Sequence, residues 1–542
     1  MARGVARRHR PDRLRRLRHQ RRKPRREPRS RRGGGAAVTS EHISEPEGTF
    51  CLVLHSHLPW LPHHGSWPVG EEWLYQAWAH SYLPVLDLLR RFADEGKHDA
   101  LTLGVTPVLA AQLDDPYALR AFHHWLGHWQ LRAEHAADHW RARDPLLRSL
   151  AAAEHRTATQ ALADFETRWR HGFSPILRSL VDSGVIELLG GPLTHPFQPL
   201  LDPRIRDFAL RSGLADTALR IGSTPEGIWA PECGYEPGME DGYAAAGVTR
   251  FLVDGPALRG DTSAARTVGD SGVVCFGRDL DVTYRVWSPK AGYPGHAHYR
   301  DFHTWEHEVG IKPSRVTGKH IEPQDKAPYE PELAASTVRT HVDDFVATVV
   351  ERLRSLRARH DRPGLVVAAY DTELFGHWWH EGPAWLEGVL RALPAAGVRV
   401  TTLRGALEAG HLGPRYDLPA SSWGSGKDWR VWDGEQVSDM VADNAALQRE
   451  LLNTVSTPGN WRSPAHDQLV REALLALSSD WAFMVTKDSA ADYARRRAQG
   501  HAERFRELAK LLASDDLVTA AARAADLRAS DYLFGQLDAR RL

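Results

Sequence analysis

The chain has 542 residues, 42% apolar and 25% charged, enough for a large domain with a smaller one beside it. Its formal net charge of +0 conceals an asymmetry: residues 1–32 hold 16 Lys or Arg against two acids, Asp12 and Glu27, leaving the other 510 residues acidic by 14 charges. Such a body does not favour nucleic acid, no run of about 18 apolar residues offers a membrane span, and three cysteines (Cys51, Cys233, Cys275) suit a reduced, cytoplasmic protein rather than a disulfide scaffold.

Residues 1–48 form a basic extension with almost no apolar side chains, expected to be disordered. A nucleic-acid arm is the competing reading. The one adopted is upstream sequence before a true start near Val38. Thr49 to Leu54 then reads as a buried strand delivering His55-Ser-His57. Glu71 to Ala93 reads as a helix and Ala100 to Val105 as a strand. From Tyr117 to Leu180 the pattern is helical throughout, so a helical insertion is placed at about 115–182. Val185 to Leu189 is a strand running into Gly190-Gly-Pro-Leu-Thr-His195. Pro203 to Ile221 is a helix, with Asp202 placed to cap it and Pro203 at its first position.

Short strands follow at Gly227 to Ala230, Arg250 to Val253 and Gly272 to Phe276. A long helix, Glu332 to His360, leads into the strand Leu365 to Ala369, and Gly397 to Thr401 is the last strand candidate. Strands alternating with helices imply an α/β fold with a parallel sheet, and polar or aromatic clusters recur at the strands' carboxyl ends. Residues 49–410 are therefore read as a (β/α) barrel-like domain. Beyond Pro414 the segments Asn444 to Leu452, Asp467 to Leu477, Ala490 to Ala513 and Asp515 to Leu533 are helical, which makes 411–542 a mostly helical C-terminal domain.

Two strand ends carry acids among aromatic rings. Glu232 sits between Trp229 and Tyr235, and Asp371 opens Asp371-Thr-Glu-Leu-Phe-Gly-His-Trp-Trp379. A pair of carboxylates flanked by flat rings is what cleavage of a glycosidic bond requires. Ordinary turn acids are the plainer reading. Strand periodicity places Glu373 on the same side as Asp371, so local spacing does not separate them. His55 and His57 also share one side. With His195, His296, His298, His377 and His380 they could assemble a metal site, but no His-Glu-x-x-His helix or zinc-spaced cysteine set accompanies them. As partners for sugar hydroxyls, imidazoles supply both donor and acceptor. Ser421-Ser-Trp423-Gly-Ser-Gly-Lys-Asp-Trp429-Arg-Val-Trp432 puts three indoles on a Gly/Ser loop, a poor core and a good platform for sugar rings. For Arg278 a structural ion pair with Asp279 is the alternative to a ligand contact, and Gly292-Tyr-Pro-Gly295 is a turn by composition.

At these motifs the chain resembles glycoside hydrolase family 57, and within it the α-1,4-glucan branching enzymes. His55-Ser-His57-Leu-Pro is similar to the family's first signature and Gly190-Gly-Pro-Leu-Thr-His195 to its second. Trp229-Ala-Pro-Glu232-Cys-Gly-Tyr235 resembles the nucleophile segment, Tyr370-Asp371-Thr-Glu-Leu-Phe the acid/base segment, and Ser478-Ser-Asp480-Trp-Ala-Phe483 the C-terminal signature of the branching group. The resemblance implies a distorted, TIM-like (β/α)7 barrel with a helical insertion and a mostly helical C-terminal domain. It implies Glu232 as nucleophile and Asp371 as proton donor. It implies glucan contacts at Arg278, Gly295, Trp423 and Asp480, with Trp287 and Trp432 as further aromatic subsites and His55, His57, His195 and Trp229 around them. No metal or cofactor is implied; the partner is an α-1,4-glucan, and no oligomeric state is indicated.

The chain departs from the pattern in two places. Ser489 stands where a polar amide is common, and the segment between Asp254 and Gly272 is short and lacks the tyrosine that favours transfer over hydrolysis in many branching enzymes. An amylase or 4-α-glucanotransferase of the same family is the nearest alternative. A metal-dependent hydrolase or deacetylase on a similar barrel, and a non-catalytic glucan-binding protein, are more distant ones.

Overall fold

The structure is a computed structural model and describes residues 46–141, 144–288, 291–456 and 462–542. The expectations for residues 1–45, including the start near Val38, lie outside the described residues.

Ten strands form one sheet: β1 (Gly48–Ser56), β2 (Leu101–Val105), β3 (Ile186–Gly190), β4 (Gly227–Ile228), β5 (Arg250–Asp254), β6 (Ala265–Val268), β7 (Val274–Arg278), β8 (Gly364–Asp371), β9 (Val398–Thr401) and β10 (Leu412–Tyr416). Seven of them lie side by side in the order β8-β1-β2-β3-β4-β5-β7, every neighbouring pair parallel. The sheet curls until its ends approach, where the Asp279 amide donates to the Val367 carbonyl at 2.8 Å. This is a distorted seven-stranded barrel.

Because the sheet is covered on both faces, its strands are apolar almost throughout. The pleat sorts them. Phe50, Leu52, Leu54, Val366, Ala368 and Tyr370 face the helices, while Cys51, Val53, Leu189, Leu252, Phe276, Leu365, Val367 and Ala369 fill the barrel. Side chains alternate with period two, so the inward series of β1 continues to His55, that of β8 to Asp371, that of β5 to Asp254 and that of β7 to Arg278. The register pairs His55 directly with Asp371. A cluster of polar side chains at the carboxyl-terminal mouth follows from strand parity alone.

The helical insertion is built by Pro116–His139, Pro145–Asp164 and Ser174–Asp182. The helix Pro203–Ile221 has its expected bounds: Asp202 accepts from the Arg204 amide, Pro203 occupies the first position, and Gly222 at φ 82° ends it in the left-handed region that suits glycine. Glu71 to Ala93, expected as one helix, is interrupted by a wide π-type turn at Trp78–Tyr82. Two strands were not anticipated. β6 pairs antiparallel with β7, and β10 pairs with β6, so part of the segment between Asp254 and Gly272 extends the sheet. The C-terminal helices Ser438–Val455, Pro464–Ala476, Ser479–Thr486, Ala491–Ala513 and Leu517–Arg528 pack among themselves and onto barrel residues such as Trp60, Val108 and Leu193. Residues 46–542 form one compact unit. Among the described residues no helix is long and apolar enough to cross a membrane.

Candidate active site

Glu232 follows β4 in a tight turn, at φ 60° and ψ 17°, with Cys233 also at positive φ. Non-glycine residues rarely adopt this conformation, and it costs about 1–3 kcal/mol unless the surroundings enforce it. Here they do. The loop after β10 clamps the turn through backbone bonds between Tyr235 and Ser421 and from the Trp423 amide to the Glu232 carbonyl. The Glu232 carboxyl is held at both oxygens: Ser479 Oγ donates to Oε1 at 2.9 Å and Trp423 Nε1 to Oε2 at 2.7 Å.

Ser479 is the end of a longer relay. His195 Nδ1 lies 2.9 Å from Ser479 Oγ, and His195 Nε2 lies 3.1 Å from His55 Nε2. With Ser479 donating to Glu232, His195 donates from Nδ1 and accepts at Nε2 from His55. Every hydrogen bond in the chain then points toward the carboxylate. Burial holds His55 and His195 well below the usual imidazole range, so both are neutral as the relay needs. His55 stacks on Trp229 at 4.4 Å, and His57 stacks on His195 at 3.8 Å. His57 Nδ1 meets Thr106 Oγ1 at 3.0 Å and its Nε2 meets Asp480 at 2.9 Å. Asp480 also accepts from Ser478 Oγ.

Asp371 ends β8 and faces the same mouth; among the described residues no side chain or amide donates to its carboxyl. Glu373 differs. It sits in the turn Thr372–Leu374, is 2% exposed, and accepts from Tyr82 Oη and the His57 amide. The structure thus separates two acids that spacing could not: Glu373 is committed to its neighbours, and Asp371 is open. Burial pushes all three acids up. Asp371 rises to about 6 by burial, opposed by the neighbouring Arg278 and His57. Glu373 rises to about 8 by burial and the Asp371 charge, and Glu232 to about 8 by burial, against the Trp423 and Ser479 donors and reinforced by Asp480 and Asp371.

The other predicted residues divide. Arg278 is buried, paired with Asp254 at 2.8 Å and lying 5.2 Å from the Trp423 ring. Asp254 also meets Lys427 at 2.6 Å, and Asp279 pairs instead with Arg352. Trp287 is 44% exposed beside Trp378, a free platform. Trp432, expected as an aromatic subsite, is only 2% exposed. Its ring is stacked on Phe197 at 4.5 Å and pressed against Gly424, so it backs the loop rather than facing the cleft. Trp229 is likewise buried beneath His55. Gly295 is exposed at the end of a turn, tied by no contact to Glu232 or Asp371. Ser479, Lys427 and Thr106 were not singled out in the sequence, although Ser479 lies inside the quoted C-terminal signature.

His57, His195 and Asp480 bring three possible metal-ligand atoms within 4.8 Å of one another. The fit is poor. Both nitrogens of His57 and of His195 are already engaged: His57 with Thr106 and Asp480, His195 with Ser479 and His55. The other histidines of the metal reading do not join: His296 and His298 pack near His341, and His377 and His380 line a separate cavity.

The family model for glycosyl hydrolase family 57 matches residues 51–418, and that for the C-terminal region of 1,4-alpha-glucan branching enzymes matches residues 443–541. The chain belongs to glycosyl hydrolase family 57. It is 58% identical over 515 residues to a probable 1,4-alpha-glucan branching enzyme of Mycobacterium tuberculosis, covering 91% of this chain and 98% of that one. Among solved structures it is similar to a family 57 branching enzyme of Thermococcus kodakaraensis crystallised with glucose, at TM-score 0.85 and 29% identity over 91% of this chain and 96% of that one. It is also similar to the alpha-amylase AmyC of Thermotoga maritima, at TM-score 0.79 and 26% identity over 91% and 98%.

Proposed function

We propose that the protein is a 1,4-alpha-glucan branching enzyme, a cytoplasmic retaining transglycosylase that makes α-1,6 branches in glycogen or a related glucan. The observation that carries the mechanism is the unequal treatment of the two acids. Glu232 is clamped by two donors that favour its charged form; Asp371 has none. The individual shifts would put a shared proton on Glu232, at about 8, rather than on Asp371, at about 6. The hydrogen bonds support the opposite assignment. Burial penalises charge at either acid, but Trp423 can only donate to Oε2 and Ser479, with the His195 relay behind it, donates to Oε1, a pairing that favours the charged carboxylate.

In the first step Glu232 attacks the anomeric carbon of an α-1,4-linked donor, and Asp371 passes its proton to the departing 4-oxygen. A glycosyl ester forms on Glu232. Asp371, now charged, takes the proton from the 6-hydroxyl of an acceptor glucose as that oxygen bonds to the anomeric carbon and Glu232 leaves. The configuration is retained. Transfer prevails over hydrolysis when a bound acceptor supplies a high effective concentration in a site short of water. The C-terminal helices bear on this directly, because Ser478, Ser479 and Asp480 form one wall of the site. A match to the branching group over that region therefore concerns the chemistry, not only the packing.

Incubation with amylose, then isoamylase digestion and chain-length analysis, tests the assignment. Release of a distribution of short chains is expected. Linear products alone would make the protein an amylase or 4-α-glucanotransferase.

A further inference from the structure

Outside the catalytic mouth, a cavity of about 290 Å³ lies between the helical insertion, the loop near 300–312 and the turn after Gly376. None of Glu232, Asp371, His55, His57, His195 or Trp423 lines it. Its charges are unusual. The acids are already satisfied: Glu154 by Arg300 and Trp129, Glu72 by Trp125 and Gln76, and Asp301 by Lys326. Two cations are not. The side chains of Arg132 and Lys312 make no hydrogen bond or ion pair to the described residues. Each lies against aromatic rings: Arg132 at 5.1 Å from Trp125, and Lys312 at 3.9 Å from Phe302 and 4.7 Å from Trp305. His377 Nδ1 is buried there without a partner.

We propose that this cavity is a binding site for a phosphorylated hexose. The aromatic walls fit a sugar face, and the neutral His80, His377 and His380 offer both donors and acceptors to its hydroxyls. A neutral sugar would leave two half-buried cations without an ion-pair partner; a phosphate would supply one to both. Burial and the Arg300 charge bring the Lys312 ammonium down to about 7, so an anion beside it would restore the charged form. The volume is at the low end for ligand sites and suits one substituted ring rather than a glucan chain. The cavity also has a route to the chemistry. The wide turn Trp78–Tyr82 places His80 in the cavity wall, Ser81 on the Thr372 carbonyl and Tyr82 on Glu373.

Isothermal titration of the full-length protein with glucose 6-phosphate and glucose 1-phosphate tests this, with inorganic phosphate, glucose and maltotriose as comparisons. One of the two sugar phosphates should bind saturably, one per chain, at least tenfold tighter than any comparison. K312Q and R132Q should each weaken that binding tenfold or more, K312R should recover most of it, and all three should keep branching activity within twofold. Maltotriose binding as tightly as the sugar phosphates, unchanged binding in K312Q and R132Q, or no saturable binding would each overturn the proposal. None of the binding results depends on which reaction the catalytic acids perform.

Discussion

At the amino-terminal end of the barrel Glu187 points inward and is buried, bonded to Arg250, the Thr102 hydroxyl and the Arg404 amide. At the carboxyl-terminal end Glu232 and Glu373 are as deeply buried and Asp371 is half-buried, yet among the described residues no Lys or Arg forms an ion pair with any of them. Only neutral donors (an indole, hydroxyls and a backbone amide) reach Glu232 and Glu373, and none reaches Asp371. A buried acid matched by a cation is settled and serves the fold. One matched only by neutral donors keeps a raised proton affinity, which is the property a nucleophile and a proton donor need near neutral pH.

The sharpest way to break this comparison is to remove charge at each end. E232Q and D371N should each lower kcat by about a thousandfold or more, since neither partial reaction proceeds without both groups. E373Q should lose far less, because that acid faces Tyr82 and His57 rather than the cleft. Initial rates on amylose at saturating substrate check this, and a D371N rate close to wild type would move the proton-donor role to Glu373. At the other end R250M should leave the activity per folded molecule nearly intact. It strands Glu187 without its cation, so the fold should lose about 3–5 kcal/mol, read by urea unfolding.

Much of the barrel end was legible before any coordinates. Apolar runs mark the strands because both faces are covered, and parity then sends His55, Asp371 and Arg278 inward. Two strands escaped for physical reasons. Arg266 breaks the apolar run of β6, and β10 carries Gly413 and Pro414 at the sheet edge, where a missing amide donor is tolerated. The choice between Asp371 and Glu373 was not legible. The strand stops at Asp371, and the turn that follows swings Glu373 onto Tyr82, a partner 291 positions away. Trp432 misled for a related reason: its loop composition suggested exposure, but Phe197 and Gly424 enclose it.

Ser479 sharpens the comparison, being a neutral donor from the C-terminal helices. A hydrogen bond to a charged carboxylate is worth about 1.5–3 kcal/mol, so S479A should reduce kcat about 10- to 100-fold. The pH profile gives the sign. In the proposed mechanism Glu232 works charged and Asp371 protonated, so the wild-type rate should rise as Glu232 ionises and fall as Asp371 loses its proton, with both limbs above the ordinary carboxylate range because burial pushes both acids up. Losing a donor to the carboxylate disfavours ionisation, so the acidic limb of S479A should move to higher pH. A lowered rate with an unmoved limb would mean that Ser479 only packs.

The smallest effect is expected at Trp287, where the comparison becomes one between two indoles. Trp287 is exposed beside Trp378, while Trp432 is enclosed. If aromatic faces hold glucan, only the exposed one has a face to offer. Stacking contributes about 0.5–1.5 kcal/mol, so W287A should raise KM for amylose roughly two- to tenfold while leaving kcat and thermal stability near wild type. W432A should do the reverse, lowering Tm through a lost core ring before affinity changes. Kinetics and melting curves of the two variants decide it. If W432A alone weakened glucan binding, with the fold intact, the loop would have to open in solution and present that ring to substrate.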